Sequence, residues 1–192
     1  KIKIYKNYEL KQSNTKLILR EKRTLYILKY LIKILDENKI NYWLDRSGLL
    51  AIKRNQRLSE FSDIDISIDF KDYYKLEKIM KSIKKKICVQ KKIIKMNQKT
   101  INKYSLNSSN KDLRKHEPAI VDFIYRKIEH NFISSYGIKL KKVPIELIYP
   151  KIFFSYKGVN IKIPNNPDQY LSFIYGKNWK KKTKFYLKSS RV

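Results

Sequence analysis

The sequence contains one cysteine, few acidic residues and no long apolar run, and each shortage excludes a class of protein. Because Cys88 is alone, the chain can form neither an internal disulfide nor a zinc site built on cysteines, and it fits a reducing compartment such as the cytoplasm. No apolar run approaches the ~18 residues that a membrane-spanning helix needs. With 42% hydrophobic residues among 192, the chain is long and apolar enough to fold around a core.

The shortage of acidic residues leaves a large positive charge. Lys and Arg number 45 against 17 Asp and Glu, which gives a net charge of +28. Such a charge predicts a polyanionic partner, either nucleic acid, an acidic membrane surface or a phosphate-rich polymer. The alternative is compositional drift, since Lys, Ile, Asn and Tyr are abundant together, although drift explains the shortage of Asp and Glu less well.

No repeat or linker divides the chain. We expect residues 1–16 to form a tail or an edge strand, residues 17–180 to form one domain, and residues 181–192 to form a basic tail. The sequence begins at Lys1 and not at methionine, so we also expect a fragment of a longer protein, and an absent signal peptide excludes little.

The spacing of apolar residues predicts strands and helices that alternate along the domain. The polar stretch from Asn97 to Asn110 is typical of a loop. Helices are predicted at 17–35, 49–57 and 71–83 and from 167 onward, and strands at 39–44, 63–69, 87–89, 93–94 and 119–125, with a hairpin at 152–163. This order predicts an α/β (α+β) fold, in which helices pack on a mixed β-sheet.

The strand prediction is strongest where polar and apolar residues alternate strictly, from Asp63 to Asp69. Side chains two residues apart on a strand share a face, so the carboxylates of Asp63 and Asp65 are expected to point the same way, roughly 6 to 7 Å apart. A pair of carboxylates at this spacing can bind a hard divalent cation. Just upstream, the Ser47-Gly48 break predicts a turn that opens a helix, where backbone N–H groups suit phosphate.

A second predicted strand carries a third carboxylate. Asp122 interrupts the apolar run 119–125, where an unpaired charge would be costly. A bound cation or a place at the open end of the strand would account for it, and a salt bridge to one of the many lysines is the alternative. Together with Asp63 and Asp65, it predicts a site for Mg²⁺, or for Mn²⁺ in its place, and metal-assisted chemistry on a phosphate ester.

Five motifs in order resemble the LicD family, which includes bacterial phosphocholine transferases, fukutin and fukutin-related protein. The resemblance runs from Leu25 to Trp179. Its motifs are Tyr42-Trp43-Leu44-Asp45-Arg46-Ser47-Gly48-Leu49-Leu50-Ala51-Ile52-Lys53-Arg54, Phe61-Ser62-Asp63-Ile64-Asp65-Ile66, Asp72-Tyr73-Tyr74-Lys75-Leu76, Val121-Asp122-Phe123, and Pro164 with Tyr170-Leu171 and Tyr175-Gly176-Lys177-Asn178-Trp179. Departures from the family pattern are Ser47-Gly48 in place of Gly-Thr, Ala51 in place of a glycine, and Phe61 or Ser62 at an acidic position.

The resemblance implies a nucleotidyltransferase-like fold and a metal-dependent transferase. A CDP-activated donor, such as CDP-choline, CDP-ribitol or CDP-glycerol, would give its phospho-alcohol to a hydroxyl of a glycan or polysaccharide, for example a teichoic acid, and release CMP. The implied residues are acids that hold the metal and act in catalysis, and small or basic residues that bind the donor. The first set is Asp63, Asp65 and Asp122, and the second is Ser47, Gly48, Lys53 and Arg54, where a solvated helix face is the alternative for Arg54.

The lysine-rich faces would then suit an anionic membrane surface, and we expect a cytoplasmic protein that can lie at the inner face of the membrane. Two other functions stay open. A nucleotidyltransferase acting on RNA or another polar acceptor would keep the fold, although nucleic acid is the less favoured partner. A basic binding module with a decayed active site would explain the altered Ser47-Gly48 turn.

Overall fold

The computed structural model describes residues 14–83, 87–96, 99–107, 120–136 and 141–181. In these ranges the chain forms four α-helices and nine β-strands. The helices are α1 (Asn14–Glu37), α2 (Arg46–Lys53), α3 (Tyr73–Ser82) and α4 (Pro167–Tyr175). The strands are β1 (Tyr42–Asp45), β2 (Ile64–Asp69), β3 (Cys88–Met96), β4 (Lys99–Asn107), β5 (Val121–Glu129), β6 (Phe132–Tyr136), β7 (Val143–Pro144), β8 (Ile152–Tyr156) and β9 (Val159–Ile163).

Seven strands form one mixed sheet. Its order is β1-β2-β5-β4-β3, and β6 continues the pairing of β5 beyond β4 and is followed by β7. Strands β2 and β5 run parallel, whereas β1 and β2, and likewise β4 and β5, run antiparallel. The β8–β9 hairpin is a separate small sheet that packs beside β1 and α1. A mixed sheet covered by helices confirms the α/β (α+β) class.

The central strand β5 is covered on both faces. Tyr125 contacts Tyr73 on α3, with ring centroids 5.4 Å apart. Its neighbour Arg126 points to the opposite face, since side chains alternate along a strand, and there it reaches Asp45 below Tyr170 of α4. This explains why β5 reads as an almost continuous apolar run, as is typical of a strand buried on both sides.

The predicted hairpin at 152–163 and the helix from Pro167 are confirmed, with the turn at Lys157-Gly158. Helix α1 begins at Asn14, so its first turn includes part of the predicted tail, while residues 1–13 and 182–192 lie outside the described residues. Helix α2 begins at Arg46 and not at residue 49. Within the described ranges, no helix combines the length and apolar character that crossing a membrane requires.

The loop predicted from Asn97 to Asn110 is wrong over residues 99–107, which form β4, and residues 97–98 and 108–110 lie outside the described residues. The two short strands predicted at 87–89 and 93–94 are parts of one strand, β3, which pairs with β4 over its whole length. The polar residues of β4 are compatible with a strand because pairing with β3 satisfies the backbone. Buried Tyr104 and Leu106 give the strand its apolar face.

Candidate active site

Three aspartates lie in a row across adjacent strands of the sheet. In the antiparallel β1–β2 pair, Asp45 is the partner of Asp65, and in the parallel β2–β5 pair, Asp65 is the partner of Asp122. Neighbouring strands lie about 4.8 Å apart, and register partners direct their side chains to the same face. The structure therefore brings Asp65 and Asp122 together on one face of the sheet, although they are far apart in the sequence.

Asp63 lies at the same end of β2, directly before the strand begins. Its Oδ1 accepts a hydrogen bond of 2.6 Å from Ser62 Oγ. The backbone of the next residue, Ile64, donates to the Ile120 carbonyl at 2.9 Å, which ties this end of β2 to the start of β5. The three predicted aspartates thus lie at the same end of the sheet, where the parallel β2–β5 pair begins.

Burial and mutual repulsion act on the carboxyl groups of all three residues. Burial is the largest cause that raises the pKa of Asp63, Asp65 and Asp122, and one of the other two carboxylates adds to each rise. Burial together with Asp63 raises the pKa of Asp65 to about 7. Partly buried carboxylates that repel one another are stabilised by a nearby cation, and oxygen ligands suit Mg²⁺. The chemistry of this donor set therefore fits a divalent cation.

Within the described part of the chain, no three side chains of His, Cys, Asp or Glu are arranged closely enough to hold a metal ion without moving. At Asp122 the observed partner of Oδ2 is the ammonium of Lys103, on β4. The alternative that the sequence left open for Asp122, a salt bridge to a lysine, is therefore the contact present in this structure. The sequence does not point to Lys103, because the polar stretch around it is typical of a loop.

Ser47 contacts the aspartates, but not as part of a phosphate-binding turn. Its Oγ lies 2.8 Å from both Asp65 Oδ2 and the Asp63 carbonyl oxygen, and its N–H donates to Asp65 Oδ2 at 3.3 Å. The Arg46 N–H donates to Asp45 Oδ1 at 2.7 Å. The predicted open turn is absent, because α2 follows β1 directly and carboxylates already bind its first two N–H groups. The Ser47 contacts instead fix Asp65.

Gly48 is required by packing. A Cβ atom built on Gly48 would lie 2.5 Å from Leu44 Cδ1 and 2.6 Å from Ile64 Cγ2, well inside van der Waals contact. Its neighbours are therefore apolar side chains of β1 and of the first residue of β2. The glycine lets α2 approach these strands closely, which is a different role from the phosphate contact implied by the sequence.

Lys53 and Arg54 are not brought to the aspartates. Both lie at the C-terminal end of α2, about 10 Å along the helix from Ser47. Lys53 forms a 2.7 Å salt bridge with Asp168, and Arg54 donates to the carbonyl oxygens of Trp179 and Lys181. These contacts hold the C-terminal turns against α2, and the donor-binding role that the resemblance implied for both residues stays a prediction.

A buried network, which the sequence did not predict, lies next to the site. Asp45 is completely buried, and its Oδ2 accepts from Arg126 Nη2 at 2.6 Å and from the Ser67 hydroxyl. Its Oδ1 accepts from the Tyr170 hydroxyl. Burial acts to raise the pKa of Asp45, but the Arg126 and Arg46 guanidinium groups and the two hydroxyls outweigh it and lower the pKa. Asp45 is therefore a structural anion that joins β1, β2, β5 and α4.

Arg46, which follows Asp45 in the sequence, also acts on the site through its charge. Its positive charge opposes the rise in the pKa of Asp65, and it interacts electrostatically with the partly buried Tyr175. Arg46 adopts a φ of +40°, a conformation that is uncommon for a residue with a side chain. Its position inside the first motif, between Asp45 and Ser47, is the signal in the sequence that points to it.

Comparison with protein families gives one match. The family described as LicD/FKTN/FKRP, nucleotidyltransferase domain, matches residues 39–166. This range includes the three site aspartates, Ser47 and Lys103, and it covers more than half of the chain. The chain belongs to the LicD family. Membership confirms the resemblance on which the sequence analysis relied and supports a transferase of the phosphotransferase or nucleotidyltransferase kind.

Other comparisons add little to the assignment to LicD. A search of curated proteins finds no significant match. Among solved structures, lincomycin-bound lincosamide antibiotic adenylyltransferase LnuA is 16% identical, with a TM-score of 0.47, and the match covers 79% of this chain and 84% of that one. An antigenic nucleotidyltransferase-like protein from Paracoccidioides brasiliensis is 12% identical, with a TM-score of 0.39 and coverage of 73% and 60%. Both likenesses are distant, and the LicD assignment does not depend on them.

Proposed function

We propose that this LicD protein moves a phospho-alcohol group from a CDP-activated alcohol to a hydroxyl of a glycan in a reaction that requires Mg²⁺. The observation that supports the proposal is the placement of Asp63, Asp65 and Asp122 at the same end of the parallel β2–β5 pair, where their carboxylates repel one another. The choice of a CDP-alcohol, such as CDP-choline, CDP-ribitol or CDP-glycerol, follows from the family and not from the geometry.

In the proposed reaction, the acceptor oxygen attacks the phosphorus that carries the alcohol. The bond from this phosphorus to the bridging oxygen breaks, and CMP leaves with that oxygen. Mg²⁺ held by Asp63, Asp65 and Asp122 would neutralise the diphosphate and stabilise the leaving CMP. The acceptor hydroxyl must lose its proton, and Asp122, whose pKa is raised by burial, would be a suitable base if Asp63 and Asp65 alone held the cation.

Two residues of α2 would support this chemistry. Ser47 holds Asp65 Oδ2 through its hydroxyl and its N–H, which fixes the orientation of a carboxylate that must bind metal. Arg46 acts on Asp65 electrostatically, and a guanidinium group matches the geometry of phosphate oxygens. We therefore assign to Arg46 the phosphate contact that the sequence assigned to Arg54.

A second candidate is transfer of a nucleotidyl group from a nucleoside triphosphate, because the matched family is described as a nucleotidyltransferase domain. The same carboxylates would serve, but the products would differ. Phospho-alcohol transfer releases CMP, whereas nucleotidyl transfer releases pyrophosphate.

The test is a product assay with each CDP-alcohol and each nucleoside triphosphate, with Mg²⁺ or with EDTA. Proposed acceptors are teichoic acid and other polysaccharides, and CMP and pyrophosphate are measured by chromatography. We expect CMP from one CDP-alcohol with Mg²⁺ only, and its loss in Asp63→Asn and Asp65→Asn. The matched control is Glu129→Gln, at the far end of β5 in an exposed pair with Lys127, which should retain activity.

Pyrophosphate without CMP would replace the first proposal by the second. Release of neither product, together with no effect of the aspartate variants on metal binding, would favour a decayed binding module.

A further inference from the structure

The Lys103–Asp122 ion pair is accessible to solvent, unlike the other ion pair on this face. The side chains of Lys103 and Asp122 are 26% and 22% exposed, whereas those of Arg126 and Asp45 are 1% and 0% exposed. A fully desolvated pair is costly to open, because each charge would be left buried without a partner. A partly exposed pair can exchange partners, because water can solvate both groups as they separate. The Lys103 pair is therefore exchangeable, and the Arg126 pair is fixed.

Lys103 also lies on the strand that borders the site. Ser105 is the β4 partner of Asp122, and Lys103 is two residues earlier, so its side chain shares the face of Ser105. From there its ammonium acts on Asp63 as well as on Asp122. It is thus a positive charge placed among the carboxylates that the proposed function assigns to a divalent cation.

We infer that Lys103 neutralises Asp122 while no divalent cation is bound, and that it moves to the donor phosphates when a cation takes its place. The inference rests on the proposed function. An ammonium and a divalent cation cannot both lie on the same carboxylate oxygen without strong repulsion. A lysine has a flexible four-carbon stem and a compact charge, so once displaced it can reach nearby phosphate oxygens.

This arrangement has two measurable consequences. In the absence of donor, Lys103 competes with the cation for Asp122, so removal of its charge should tighten metal binding. In the presence of metal, Lys103 contributes to binding of a diphosphate, so the same substitution should weaken that binding. A lysine that only stabilised the fold would produce neither change.

The experiment measures Mn²⁺ binding to the full chain by electron paramagnetic resonance and CDP binding in saturating Mn²⁺ by calorimetry. Lys103→Met keeps the aliphatic stem and should bind Mn²⁺ about fivefold more tightly than wild type, as expected for loss of one competing, partly exposed ion pair. It should bind CDP about fivefold more weakly, with no change for cytidine, which lacks phosphate. Lys103→Arg keeps the charge and should resemble wild type in both measurements.

The matched control is Lys127→Met. Lys127 lies toward the far end of β5 in an exposed pair with Glu129, and its substitution should change either Kd by less than about twofold. Thermal unfolding of each variant establishes that it is folded.

Wild type that binds Mn²⁺, with equal or weaker binding by Lys103→Met, would overturn the inference and leave the proposed metal site intact. Tighter Mn²⁺ binding with unchanged CDP binding would overturn the transfer of Lys103 to phosphate. Absence of Mn²⁺ binding in wild type and in every variant would overturn both the inference and the proposed function.

Discussion

Asp45 and Arg126 form an ion pair in the interior of the protein, with Oδ2 and Nη2 2.6 Å apart and both side chains removed from solvent. Arg126 Nε also donates to Ser67 Oγ at 3.0 Å, and Asp45 receives the Tyr170 hydroxyl. The pair therefore joins three strands to α4 directly beside Asp65. Asp45 and Asp65 are register partners. The charge of Asp45 is neutralised by Arg126, whereas Asp65 belongs to the candidate metal site.

Substitution of one partner of this pair should destabilise the fold strongly. Arg126→Met leaves the Asp45 carboxylate buried without its cation, which costs about 3–5 kcal/mol in comparable cases. Asp45→Asn should cost a similar amount, although asparagine can still accept the Arg46 N–H. Urea unfolding of both single variants and of the double variant measures the coupling.

The double variant should lose less stability than the sum of the single losses, because it leaves no unpaired charge. Lys127→Met, on the same strand but in an exposed pair, serves as the control and should leave the unfolding midpoint unchanged. Additive losses in the double variant would contradict this account of the pair.

Gly48→Ala should destabilise the protein in spite of the better helix propensity of alanine. The added Cβ would press on Leu44 and Ile64 in the core, and overpacking of a core costs about 1–3 kcal/mol. The higher helix propensity of alanine offsets about 1 kcal/mol of this cost, so we expect a small net loss of stability. The same substitution should cost less in a Leu44→Ala background, where the nearest atom is removed, and an equal cost in both backgrounds would rule out the clash.

Lys151 should make the free energy of unfolding depend on pH in the alkaline range. It donates to Asn41 and lies 4.9 Å from the ring centroid of Tyr149, and burial followed by repulsion from Lys162 lowers its pKa to about 8. The unfolded chain, with an ordinary lysine pKa, binds more protons between pH 8 and about 10.4, so stability should rise with pH across this window.

The comparison is with Lys151→Met, so that the titration of other groups cancels. Because the side chain is partly exposed, the gain of wild type relative to the variant should be on the order of 1 kcal/mol. Chemical denaturation at pH 7, 8, 9 and 10 measures the difference. A constant difference between the two proteins across this range would show that Lys151 keeps an ordinary pKa.

Local sequence patterns predicted the strands in which the order of polar and apolar residues follows the burial of their side chains. The alternation around Asp65 predicted β2, and the apolar run around Asp122 predicted β5, because strand periodicity depends on neighbours in the sequence. The parallel pairing of these strands is a tertiary property. Local patterns predicted neither that pairing nor the register of Asp65 with Asp122, and both became visible only in the structure.

The contacts at the site that the sequence did not predict also have physical causes. Lys103 lies in a polar strand that is stabilised by pairing with β3 and not by its own apolar residues, so propensity favoured a loop. Arg54 has the charge needed for phosphate, but its direction depends on Trp179 and Lys181, which are distant in sequence. The affinity of the lysine-rich faces for an anionic membrane surface or a glycan stays a prediction.

The most direct test of the account is the stoichiometry of Mn²⁺ binding to the chain and to its aspartate variants. We expect one Mn²⁺ per wild-type chain, and binding at least about tenfold weaker in Asp65→Asn and in Asp63→Asn, because each substitution removes a charged oxygen ligand. Asp168→Asn, an exposed acid paired with Lys53, should bind as wild type does. Equal Mn²⁺ affinity in wild type and in the Asp63→Asn/Asp65→Asn double variant would contradict the central claim that these carboxylates form the metal site.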